Sequence, residues 1–285
     1  MRTLSASLVS VALLAAWPSA AIAQTADDLT GSDGCDGSLA TPGDYEHVND
    51  FGDAGQEYWL VVPDDYADIA PAPLIVWLSS GGGDADINFA GWRPYVDDIE
   101  ALFAVVGTDT AAQKDTETLL ALIDQIGADY CVDPRRIHVM GESWSVATVG
   151  RLACEAPDRI ASFLGGMGGF YSSDCTPERP VPVLAVTGLS DRAGVAWSSA
   201  EFARMNGCDA EAVVEDLGSS VTRTVYQGCE ADVVHYDIAG VGHAFVFHEC
   251  VGPGAMYCVA NDDFDQLEEA LRFFEEHPLP EAGDD

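Results

Sequence analysis

Apolar and polar positions follow two rhythms along this chain. Residues 57–62 (EYWLVV) alternate as a half-buried strand does, whereas residues 74–78 (LIVWL) form an unbroken apolar run. Shorter runs at 104–106 (AVV), 137–140 (IHVM), 162–164 (SFL), 183–187 (VLAVT) and 233–238 (VVHYDI) also read as strands. Between them the period changes. Residues 116–130 carry Leu119, Leu120, Leu122, Ile123 and Ile126 at helical spacing, and residues 145–155 read as a second helix. Residues 264–276 close the pattern, with Leu267, Leu271, Phe273 and Phe274 on an amphipathic helix. Strands that are continuously apolar and separated by helices predict an α/β fold, a mostly parallel central sheet with helices on both faces. Reactive loops in such sheets leave the carboxyl ends of the strands.

The two ends lie outside this pattern. Arg2, an apolar run from Leu8 to Trp17 and Ala21-Ile22-Ala23 ahead of Gln24 follow the order of a cleavable signal, giving a signal peptide over 1–23 and an exported, periplasmic or secreted, protein. The apolar run is shorter than the roughly 20 residues a membrane span needs. Residues 24–45 read as a polar leader, 46–277 as one catalytic domain, and 278–285 as an acidic, disordered tail.

Composition narrows the partners. The chain has 48 acidic against 12 basic residues, a formal net charge of -36, and Lys114 is its one lysine. That charge repels nucleic acid and anionic membranes and favours a solvated, self-repelling surface. Eight cysteines (Cys35, Cys131, Cys154, Cys175, Cys208, Cys229, Cys250, Cys258) in an exported chain predict disulfides, with Cys250–Cys258 closing a small loop and Cys208–Cys229 bracing an excursion. No C-x-x-C pair suggests zinc, and no metal or organic cofactor is expected. Asp84, Asp86 and Asn88 begin like a calcium loop, but Phe89 stands where the loop needs glycine and Tyr95 where it needs glutamate.

Candidate chemistry centres on Gly141-Glu142-Ser143-Trp144-Ser145, which joins the 137–140 strand directly to the 145–155 helix. A tight strand-to-helix turn of this kind lifts a serine hydroxyl clear of the sheet, as in a nucleophile elbow. The blander alternative is that Ser143 only caps the helix. A serine attacks only when a base takes its proton. His243 suits that role, since it sits in a glycine-flanked loop just after the 233–238 strand; His248 is its competitor. His138 and His235 lie within strands, and His47 and His277 in terminal segments. Asp191 follows the 183–187 strand and a glycine turn, which gives the chain order Ser, Asp, His and makes it the orienting acid, ahead of Asp174 and Asp209. For the oxyanion hole the glycine run after Ser79-Ser80 offers Gly81, with Ser80 close behind, and the N–H of Trp144 completes it. Ser80 and Trp144 are also expected to contact substrate.

Together these segments resemble the secreted polyhydroxybutyrate depolymerase and feruloyl/acetylxylan esterase branch of the α/β-hydrolases. APLIVWLSSGGG, DYCVDPRRIHVMGESWS, RLACEAPDRIASF, RPVPVLAVTGLSD, Asn206-Gly207-Cys208 and DIAGVGHAF carry the resemblance, in family order. It implies the α/β-hydrolase fold and a triad of Ser143, Asp191 and His243. Three positions depart from the family pattern: Ser79-Ser80 stand in place of His-Gly, Trp144 in place of a small residue, and Ser145 in place of glycine.

The expected function is therefore a serine esterase acting on polymer-derived esters, either polyhydroxybutyrate-type oligomers or feruloyl and acetyl esters of plant polysaccharide. A catalytically silent polymer or carbohydrate binder on the same scaffold is the competing class, and a peptidase is a third.

Overall fold

The computed structural model of the protein describes residues 31–49, 56–80, 85–107, 115–167, 176–191 and 199–281. The expected signal peptide lies outside them, as do Gly81, Asp84, Lys114, Asp174, Cys175 and the last four residues.

Chain order runs β1 (Gly43–Asn49), β2 (Gln56–Val62), α1 (Tyr66–Ile69), β3 (Ala72–Leu78), α2 (Ala85–Trp92), β4 (Leu102–Val106), α3 (Thr116–Asp129) and β5 (Val132–Glu142). It continues through α4 (Ser145–Glu155), β6 (Ser162–Gly166), β7 (Val183–Gly188), α5 (Ser199–Met205), β8 (Ala212–Leu217), β9 (Val221–Tyr226) and β10 (Val233–Ile238). Two three-residue strands, β11 (Phe245–Phe247) and β12 (Cys258–Ala260), precede the final helix α6 (Gln266–Glu276).

Ten of these strands form one sheet in the order β1-β2-β4-β3-β5-β6-β7-β10-β9-β8. The central strands β4, β3, β5, β6, β7 and β10 pair in parallel, and antiparallel strands close both edges. The apolar runs make sense on this plan. In β3, Leu74, Val76 and Leu78 pack with Leu119, Leu122 and Ile126 of α3 and Val146 and Val149 of α4. Ile75 and Trp77 face the opposite layer, with Trp92 of α2 and Leu267, Phe273 and Phe274 of α6. A strand covered on both faces has no polar side to present, so its sequence cannot alternate.

Several sequence motifs prove to be braces. Arg179 donates to the carbonyls of Pro157 (2.6 Å), Ile160 (2.8 Å) and Pro180 (2.7 Å), fixing the loop that feeds β6 against the approach to β7. Buried Asn206 exchanges hydrogen bonds with the backbone of Val181 and donates to Ala231 O, tying α5 to the starts of β7 and β10. Disulfides join Cys208 to Cys229 across the β8–β9 hairpin and Cys250 to Cys258 across the β11–β12 connection, the two pairings the spacing suggested. Cys35 joins Cys131 at the head of β5, so the chain at 31–45 is stapled to the domain; Ser32 also donates to Tyr130 O there. At the other end, Leu279 N–H donates to Arg135 O, and Glu281 pairs with the Arg135 guanidinium.

Pattern reading left out β1, which begins inside the expected polar leader, as well as α1, α2, α5, the β8–β9 hairpin and the small β11–β12 sheet. In β8, Val213 and Val214 are both exposed, so no apolar face marks this edge strand. Asp86 and Asn88 of the calcium-like stretch lie on α2, where Asp86 accepts from the Trp59 indole at 2.8 Å. A helix points residues two apart to different faces, so these two are not arranged as in a calcium loop.

Candidate active site

The carboxyl ends of β3, β5, β6 and β10 converge on one cavity of about 220 Å³, lined by Trp77, Ser80, Glu142, Ser143, Met167 and His243 among others. Ser143 enters it directly from β5. Its φ is +55°, a left-handed conformation rarely held by a residue with a side chain. The turn is locked from both sides: Ser143 N–H donates to Gly166 O at 3.0 Å, and Ser143 O accepts from Val146 N–H at 3.3 Å as α4 begins. The first turn of α4 has no side-chain cap, so Ser143 is not there to cap the helix.

Packing explains the flanking residues. A Cβ on Gly141 would lie 2.7 Å from Ser145 Oγ and 2.8 Å from a Val149 methyl, so the elbow requires glycine there. Ser145, which replaces a second glycine, is put to use. Its hydroxyl accepts from Glu142 N–H at 2.8 Å and lies 2.8 Å from the carbonyls of Leu78 and Glu142, either of which its proton can reach. The departure from the family pattern thus pins the elbow to the end of β3.

His243 and Asp191 come from the neighbouring parallel strands β10 and β7. Their loops are laced by Leu189 N–H to Ile238 O (2.9 Å) and Ser190 N–H to Val241 O (2.7 Å). Gly188 allows the approach, because a Cβ there would fall 2.4 Å from Gly242 O. In consequence His243 Nδ1 sits 2.6 Å from Asp191 Oδ2, with the carboxylate almost fully covered and the imidazole half open to the cavity.

The other histidines have structural partners. His138 stacks on Phe274 and bonds to Ser162 Oγ at 2.8 Å; burial, then Arg136 and His277, push its pKa down to about 3. His235 lies between the hydroxyls of Thr187 and Ser199. His47 stacks on Tyr58, and His277 bonds to Phe273 O. His248 is exposed and bonds to Asn261 O, away from the cavity lining. It forms the one candidate cation group among the described residues, with Asp265 and Glu268, but Asp265 already caps α6 and accepts from His248 N–H. Asp209 is placed against the β8–β9 hairpin, its N–H donating to Gln227 O.

At the mouth, Trp144 N–H donates to Ser80 Oγ at 3.1 Å, so two of the expected oxyanion and substrate contacts meet. Trp144 itself is 77% exposed and projects an indole into solvent beside Ser143. Gly81 lies outside the described residues. Sequence reasoning missed Glu142, Trp77, Met167, Phe245 and Tyr257 as cavity walls. Glu142 carried a signal: a lone acid at the end of a buried apolar strand.

This architecture is that of an α/β-hydrolase. No family model matches the chain. Over 223 residues it is 25% identical to a probable feruloyl esterase C of Aspergillus niger, covering 71% of this chain and 83% of that protein. A probable feruloyl esterase C of Aspergillus clavatus is 27% identical over 237 residues, covering 73% and 82%. Among solved structures, the acetyl xylan esterase from Aspergillus awamori superposes with a TM-score of 0.56 at 12% identity, over 82% of this chain and 99% of that one. The chain is thus similar in sequence to feruloyl esterases C and shares its fold with the acetyl xylan esterase.

Proposed function

We propose that the protein is an exported serine esterase that cleaves esters derived from polymers, with feruloyl or acetyl esters of plant polysaccharide ahead of polyhydroxybutyrate-type oligomers. The His243–Asp191 contact of 2.6 Å, on the cavity that also holds Ser143, carries this reading. The names of the relatives favour the polysaccharide esters, and the aromatic walls Trp77, Phe245 and Tyr257 suit an aromatic acyl group. The disulfides and the signal-like N-terminus favour export.

In this mechanism Ser143 Oγ attacks the ester carbonyl while His243 takes its proton. Asp191 holds the His243 tautomer and stabilises the imidazolium without itself becoming protonated. The oxyanion is met by the Ser80 hydroxyl and by the loop at Gly81, with Trp144 N–H acting through the Ser80 oxygen to which it donates. Because the Ser80 oxygen accepts from Trp144, its own proton is free to turn towards the developing charge. His243 then gives the proton to the departing alcohol, and water enters by the same route in reverse to release the acid.

A fluorophosphonate probe tests the reading. Labelling is expected at Ser143 and should vanish in Ser143→Ala, with methyl ferulate and p-nitrophenyl acetate turned over by the wild type alone. A folded wild type that stays unlabelled would overturn it and leave a silent binder.

A further inference from the structure

Six large apolar side chains are exposed among the described residues: Trp144, Leu189, Val213, Val214, Met256 and Tyr257. Val213 and Val214 are neighbours on the edge strand β8. The other four lie on segments that carry the site. Trp144 follows Ser143, Leu189 stands two residues before Asp191, and Met256 precedes Tyr257, which lines the cavity. Single apolar residues are ordinary on a protein surface, but several at one opening mark a place where something binds. On a chain with a net charge of -36 such a cluster is the more conspicuous.

Trp144 N–H donates to Ser80 Oγ, and Ser80 and Tyr257 both line the cavity, so the two rings border the same mouth from separate parts of the chain. The Trp144 indole is not part of the lining and stands outside it. Among the described residues no aromatic ring stacks on Trp144 or Tyr257. The size of the cavity decides which part of a substrate reaches them. At about 220 Å³ it falls below the roughly 300–1,000 Å³ of pockets that enclose a whole drug-sized ligand, so it houses one acyl group and leaves a polymer outside. The acyl group stays bonded to Ser143 after the first step. The alcohol, protonated by the half-open His243, must depart through the mouth.

We infer that Trp144, Tyr257 and Met256 form an alcohol-side subsite at the mouth, which grips the neutral sugar residues flanking the esterified one through the apolar faces of their rings. Flat aromatic rings and a thioether suit the C–H face of a sugar, and the acidic surface of the protein disfavours sugars that carry carboxylates. The inference rests on the esterase reading above and goes beyond it by naming the part of the substrate that is recognised outside the cavity.

Pairs of esters that share an acyl group and differ in the alcohol test it. For a feruloylated xylo-oligosaccharide against methyl ferulate, and an acetylated xylo-oligosaccharide against ethyl acetate, the wild type should favour the sugar ester about tenfold in kcat/KM. Trp144→Ala and Tyr257→Ala should each bring that ratio towards one, mainly through KM, while Trp144→Tyr, which still offers a flat ring, should keep most of it. No preference in the wild type, or equal losses on both members of a pair, would overturn the subsite. So would variants that lose only on an extended acyl chain, such as the methyl ester of a hydroxybutyrate trimer, because the rim would then serve the acyl side. Should Tyr257→Ala disturb its loop, the exposed Trp144 decides alone. Fluorophosphonate labelling separates the two claims: an unlabelled wild type defeats the esterase reading, whereas labelled variants with an unchanged ratio defeat only the subsite.

Discussion

His243 Nδ1 lies 2.6 Å from Asp191 Oδ2 across two loops that lean on each other through backbone hydrogen bonds. Asp191→Asn keeps the shape of that contact but supports the wrong imidazole tautomer. A fall in kcat of about 1000- to 10000-fold is expected, with little change in melting temperature. Ester hydrolysis alongside thermal denaturation measures both, and a loss under tenfold would remove Asp191 from the mechanism.

The hydroxyl of Ser145 fastens the elbow to β3. Ser145→Gly restores the usual glycine of such turns yet leaves the Glu142 N–H without its acceptor. Stability should drop by about 1–3 kcal/mol in urea titrations. Fluorophosphonate labelling should slow as the Ser143 turn relaxes. An unaffected or stabilised variant would show that the serine is incidental.

The Cys35–Cys131 bridge spans a sequence separation of 96 residues, and closing so long a loop restricts the unfolded chain strongly. Replacing both cysteines by alanine should cost about 4 kcal/mol while leaving the cavity intact. Turnover near wild type at low temperature, with a lower melting temperature, is the expected pattern. Loss of activity without loss of stability would contradict it.

Two buried groups give stability opposite dependences on pH. His138, pushed down to about 3, stays neutral when folded but takes a proton when unfolded below about 6.5, so its contribution is complete above that value and drains away towards pH 3. Glu142, raised above its ordinary value of 4.5, retains its proton only when folded, so its contribution is complete in acid and is lost as pH rises. Urea midpoints compared between wild type and His138→Asn should therefore converge as pH falls from 6.5 to 4, whereas Glu142→Gln should gain on wild type from pH 5 to 8. Parallel curves would show that neither group is buried as described.

The net charge of -36 predicts a further dependence. Screening shortens from about 8 Å at 0.15 M salt to about 3 Å at 1 M, which relieves self-repulsion in the folded state. The melting temperature should climb with sodium chloride. A flat or falling curve would mean that the acidic groups are spaced too widely to matter.

Much of this was legible in the sequence because central strands buried on both faces leave no room for polar residues, so 74–78 and 183–187 announce themselves. Ser143, Asp191 and His243 could be picked out as candidates for a related reason, since each follows such a strand within a few residues. What stayed hidden depends on contacts between distant segments. Tyr257 reaches the cavity from a loop that no periodicity marks, and Val213 and Val214 are exposed in an edge strand held by pairing and Cys208–Cys229. The role of Ser145 depends on Leu78 O, which lies 67 positions away in sequence.

Tyr257 belongs to the short connection closed by Cys250 and Cys258, so one wall of the substrate chamber is anchored by sulfur chemistry and not by the sheet. Ser143, Asp191 and His243 follow strands of the large sheet and need no such anchor. With Cys250 and Cys258 reduced, the wall at Tyr257 would lose its covalent tie while the surroundings of Ser143, Asp191 and His243 kept theirs, so the redox state of one disulfide would alter the shape of the chamber and leave its floor in place.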